Sequence, residues 1–154
     1  MTPKKIKFKI NSTREYDLIG VSCHLPDYRA VHFFNKNLDI RLVRADDLIW
    51  IGSEENTENH HSFYYWHDNL HNATICCVNN RSKNHILFLP LKNFDFLFVV
   101  FNDAHRYDID EMSDQLRKIP QVILANKIDI SHMKYSEDFI VQIDLHLDKV
   151  WGNR

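Results

Sequence analysis

Three glycines in 154 residues, Gly20, Gly52 and Gly152, limit what this chain can build more than any other feature of its sequence. Glycine supplies left-handed backbone and lets a ligand phosphate approach the main chain. A chain with so few must turn mainly on other residues, and it has no material for a glycine-rich phosphate loop. None of the three is followed by lysine, and no strand opens into G-x-x-x-x-G-K-[ST].

This bears on "VILANKIDI" (122–130), an apolar run into Asn-Lys-Ile-Asp, the order in which GTPases present their guanine-reading loop. That loop is useful only beside a phosphate loop. With 14 Asn, 11 Lys and 15 Asp, the composition also supplies such a tetrapeptide cheaply. The stretch reads as a strand over 122–126 with Lys127 to Asp129 leading out of it, and no nucleotide is expected there.

At 44% hydrophobic and 26% charged residues the chain has the composition of one ordinary folded domain, and ten Phe, six Tyr and three Trp furnish its core. The net charge of −2 excludes the strongly basic field of a general nucleic-acid binder. The opening "MTPKKIKFKINSTREYD" lacks the apolar stretch of a signal peptide, and no window is long and apolar enough for a membrane span. Three cysteines, an odd number, fit reduced thiols and a cytoplasmic location.

Periodicity predicts a single α+β domain over 1–154, with a mainly antiparallel or mixed sheet and two principal helices on one face. "KIKFKI", "YDLIGVSC", "DIRLVRADDLIWI", "HILFL" and "FDFLFVVF" read as strands, and "FYYWHDNLHNATICCV" as a hairpin. The first helix spans about 27–38 with Asp27 suited to its N-cap. The second spans about 109–119, capped by Asp108 or Asp110 and ended by Pro120. Apolar residues at 139, 141, 143, 145 and 147 favour a strand near the C-terminus. The polar, acidic segment 52–62 reads as a mobile loop. "YDLIGVSC"–helix–"IRLV" and "FDFLFVVF"–helix–"VILA" look like two related β-α-β halves.

Candidate chemistry is sparse. His60, His61, His67 and His71 lie close in sequence, but a turn at "DNLHN" breaks the spacing that a helix would give. Cys76 and Cys77 are neighbours on a strand and face opposite ways, so they do not chelate one ion. Cys23-His24 is likewise an adjacency rather than a nucleophile with its base. No catalytic residue, metal ligand or cofactor site is assigned, and an enzymatic role is disfavoured.

Binding features are two. Lys5, Lys7 and Lys9 form a basic stripe suited to phosphate or an acidic partner, or to blocking edge-to-edge aggregation. In "FYYWHD", Phe63 and Tyr65 share one strand face and Tyr64 and Trp66 the other. Either both faces are buried, or one pair, Tyr64 and Trp66, is exposed for a protein partner.

"LPLKNFDFLFVV" resembles the signature of the bacterial IPExxxVDY family, with Leu91-Lys92-Asn93 as the spacer and Phe94-Asp95-Phe96 in the place of Val-Asp-Tyr. Pro90 stands one place closer to Asp95 than the pattern has it, so the Glu position is lost. The likeness extends over about 5–141, including "RLVRADDL" and "RKIPQVILANKIDISHMKYSEDFIV". The resemblance carries no catalytic residue or cofactor to this chain. The expectation is therefore a non-catalytic interaction protein, an accessory subunit or adaptor. An RNA-associated factor using the lysine stripe, and an enzyme with an unrecognised site, are the alternatives.

Overall fold

The computed structural model describes residues 14–51, 58–83, 85–102 and 105–152. The elements in chain order are β1 (Asp17–Ser22), α1 (Asp27–Leu38), β2 (Val43–Ile51), β3 (Glu58–Asp68), β4 (Ala73–Asn79), β5 (Arg81–Ser82) and β6 (His85–Ile86). After a 3-10 turn at Leu89–Leu91 come β7 (Phe96–Phe101), α2 (Ile109–Arg117), β8 (Leu124–Ile128) and α3 (Ser136–Trp151). It is an α+β fold around a six-stranded sheet of order β2-β3-β4-β7-β1-β8, and every neighbouring pair is antiparallel.

Strand faces alternate, and both are covered. Ile19, Val21, Ile75, Cys77, Phe98 and Val100 point toward α1 and α2, where Phe34, Met112 and Leu116 meet them. Leu18, Cys76, Val78, Leu97, Val99 and Phe101 point the other way, into Phe139, Ile140, Ile143 and Leu147 of α3. This three-layer arrangement explains why "FLFVVF" is apolar at every position: both sides of β7 are inside.

Both helical connections join parallel strands, although 40–43 and 122–125, expected as their closing strands, lie mostly before β2 and partly before β8. β1–α1–β2 joins parallel strands across β7, β4 and β3, and β7–α2–β8 joins parallel strands across β1. Strand direction and crossing direction both reverse between them, and α1 and α2 lie on the same face. The two crossovers therefore have the same hand.

α1 follows its 3.6-residue apolar stripe but is capped differently from expectation. The Pro26 carbonyl receives Arg29 N–H and Ala30 N–H, and Asp27 is the first helical residue rather than the cap. Asp39 ends the helix in left-handed conformation, and the Asn35 side chain then holds Leu42 through both its N–H and its carbonyl. In α2, Asp108 accepts from Glu111 N–H at 3.1 Å, as a capping aspartate should.

Three expectations are corrected. Residues 139–147 are helix, not strand, because Phe139, Ile140, Ile143, His146 and Leu147 form a buried stripe that a helix alone can bring together. α3 thereby covers the sheet face expected to be partly bare. Of the predicted acidic loop, 52–57 lies outside the described residues, while 58–62 is the start of β3, paired to β2 with His61 fully buried. "HILFL" gives only the two-residue β6. Asn80 explains the rest: its side chain binds the carbonyls of Leu91 and Phe94 and the N–H of Phe88. The segment curls so that Leu87, Phe88 and Leu91 plug the α3 layer.

Candidate functional site

The aromatic run 63–66 is placed by the double-sided burial of β3. Phe63 and Tyr65 face the α3 layer, and Tyr64 and Trp66 face α1 and α2. Tyr64 is only 7% exposed. Its hydroxyl donates to Asp27 Oδ2 at 3.0 Å, and the Arg44 guanidinium lies over its ring. Burial first, and the bond to Asp27 second, push its pKa up to about 12. The expected exposure of Tyr64 is therefore corrected. Trp66 is half-buried against the same layer, so the two rings do not form a free aromatic pair. Lys5, Lys7 and Lys9 lie outside the described residues.

At Asn-Lys-Ile-Asp the chain forms an edge strand and a local turn. β8 runs through Ile128, with Lys127 Nζ 3.9 Å from Asp17. The Asp129 carboxylate accepts from Ser131 N–H and Oγ–H, at 3.0 and 2.7 Å, which holds its pKa below the usual carboxylate value. The histidines disperse. His67 meets Thr74 Oγ1, His61 meets Asn79 and His85, and His71 meets Asp68. Among the described residues no group of three or more His, Cys, Asp or Glu is arranged to hold a metal ion. Cys76 and Cys77 face opposite layers, and burial pushes both thiols up, away from nucleophilic thiolate. Cys23 is buried while His24 is exposed, so the two point apart.

Asp95 has a structural task. Its Oδ2 accepts from Cys23 N–H at 2.9 Å, its Oδ1 receives Arg81 Nε–H at 2.9 Å, and its own N–H donates to Val21. It ties the end of β1 to the turn after β4.

Two surfaces stand apart from this internal bonding. The first is the flank where α3 meets the outer strand β2. The β2–β3 register shifts between Ala45 and Leu48, and His146 Nε2–H donates to the Asp46 carbonyl there at 2.7 Å. Beside this pin lies a shallow groove of about 190 Å³ between Ile49 and Leu145, with Asp47, Gln142 and Lys149 around it. Leu145 is 59% exposed, Ile49 41%, and Val141, one turn before Leu145, 39%.

The second is a cleft of about 610 Å³ where the β3–β4 turn meets the end of α1 and the start of α2. Asp68, only 6% exposed, sits in its wall. The carboxylate accepts from the N–H groups of Leu70 and His71 and from His71 Nδ1–H at 2.6 Å. Tyr107 also bonds to it, and burial together with that acid pushes the phenol up to about 12. Burial raises the Asp68 pKa, but the His71 and Leu70 donors outweigh it and hold the group below its usual value. The His71 and Tyr107 rings lie 5.0 Å apart. The only sequence trace of this group is Asp68-Asn-Leu-His71, because Tyr107 and the helices come from elsewhere in the chain.

The chain matches no protein-family model, no curated protein and no solved structure.

Proposed function

We propose that this chain is a non-catalytic cytoplasmic interaction protein, an accessory subunit or adaptor that docks a protein partner on the flank formed by β2 and α3. The observation that carries the reading is the exposure of Ile49, Val141 and Leu145. Val141 and Leu145 are two of the residues that make 139–147 read as a strand. In the helix they have no place in the core, so the fold gives no reason for their being apolar. A partner surface does.

The geometry supports an extended partner segment. β2 is an outer strand of the sheet, and its last four residues, Leu48 to Ile51, carry no charge. Charge and irregularity are the usual guards of such an edge, and here they are confined to Arg44 through Asp47. A peptide strand adding along 48–51 would gain main-chain hydrogen bonds and rest its side chains on Ile49 and Leu145. Membership of the IPExxxVDY family belongs to the same proposal. It rests on the sequence likeness around Phe94-Asp95-Phe96.

The test is purification of the tagged full chain after nuclease treatment, beside an Ile49→Glu/Leu145→Glu variant. Both positions are exposed, so the variant should retain its circular dichroism. The expected result is a stoichiometric protein partner held by the wild type and released by the variant. Retention by the variant, or loss of every partner on nuclease treatment, overturns the reading.

A further inference from the structure

We infer that the cleft beside the β3–β4 turn binds a small molecule carrying one anionic group, phosphate or carboxylate, on a flat ring. The argument rests on side chains that the fold leaves uncommitted. Arg41, just after α1, and Arg106, just before α2, line the cleft from two separate elements. Neither guanidinium pairs with a described carboxylate, although four acids stand around the same opening. Arg44, Arg81 and Arg117 are by contrast engaged, with Asp47, Asp95 and Asp114 respectively.

Two of the four acids have their oxygens turned to other donors, although all four keep their charge. Asp68 is spent on Leu70, His71 and Tyr107, and Asp108 on the start of α2. Asp39 and Glu111 remain as acceptors for a hydroxyl or amine on the same ligand. His71 is fixed by its Nδ1 bond to the buried Asp68, which leaves Nε2 as the ring nitrogen available to a ligand. A histidine oriented in this way loses little freedom on binding, which is the property of a preorganised contact.

The flat ring follows from the walls. Trp66 lines the cleft half-buried, its position set by the core behind it. Tyr107 and His71 add two more rings. A volume of about 610 Å³ lies within the range of small-molecule sites and exceeds what a bare anion needs. Aromatic walls with two arginines on the lining favour a body that stacks and a head that is charged. This inference does not depend on the docking flank, which lies on the α3 side of the sheet.

Calorimetric titration of the full chain with adenosine monophosphate, phenyl phosphate and benzoate tests it, with adenosine as the uncharged control. The phosphate and carboxylate probes distinguish the two anions. Saturable binding of at least one anionic probe is expected, weakened about tenfold by Arg41→Ala and by Arg106→Ala, with adenosine weaker than its monophosphate. Both arginines are exposed, so these variants keep the fold. A wild-type chain that binds none of the anionic probes at millimolar concentration overturns the inference. So does binding that neither substitution weakens.

Discussion

His146 Nε2–H donates to the main-chain carbonyl of Asp46 at 2.7 Å, across 100 positions of sequence. The bond fixes the ring as a donor at Nε2, and the same ring lies edge-on to Phe63 at 4.7 Å. One side chain thus attaches the last helix both to the irregular point of the outer strand and to the core beneath it.

Replacing His146 removes a bond and leaves a hole against Phe63. His146→Ala should cost roughly 2–4 kcal/mol, combining the cavity with the lost hydrogen bond. His146→Gln, which retains a donor, should cost less. Urea denaturation of both variants checks the order.

Asp95→Ala should destabilise by roughly 2 kcal/mol, the scale of hydrogen bonds made by a charged acceptor. The Cys23 N–H loses its acceptor, and the exposed end of Arg81 contributes little of the total. An unchanged denaturation midpoint would show that Asp95 is not a structural clamp.

Stability should fall as pH drops below about 6.5. Burial holds the His61 pKa below its ordinary value, and His85 beside it adds to the depression. His61 Nδ1–H donates to the Asn79 carbonyl, so its Nε2 accepts from His85 Nδ1–H at 2.8 Å when both rings are neutral. Above the unfolded pKa both states are neutral and the contribution is complete. Below it the unfolded chain takes up protons that the folded chain refuses, and the contribution is lost as pH falls through the folded pKa. A nuclear magnetic resonance titration placing His61 at or above the ordinary histidine value would contradict this.

Gly20→Ala should cost about 1–3 kcal/mol by overpacking. An added Cβ would stand 2.7 Å from the Phe94 ring, which is itself held in the α3 layer. Thermal unfolding of Gly20→Ala alone, and with Phe94→Leu to relieve the crowding, measures the clash directly.

What could be read in the sequence was the part in which one period dominates. β7 is apolar throughout and β4 through Ile75 to Val78, and α2 repeats without a competing pattern, so each was legible. α3 was not, because Phe139, Ile143 and Leu147 satisfy both the strand and the helix period. Ile140 and His146 decide for the helix, and a buried histidine carries no hydropathic signal. Nor was the fate of 87–91 legible, since Asn80 replaces strand pairing with side-chain bonds. The Asp68–His71–Tyr107 group depends on a cleft that tertiary packing alone assembles.

β1 has its own consequence for how the chain comes into being. Both of its ladder neighbours, β7 and β8, are translated long after it. While the ribosome is still making β2 to β4, β1 is an apolar segment with two open edges. The central joint of the sheet closes only once Phe96 to Phe101 has emerged, and β8 follows later still. A nascent chain arrested before that point is therefore a client for chaperones and proteases, and not a stable half of the protein.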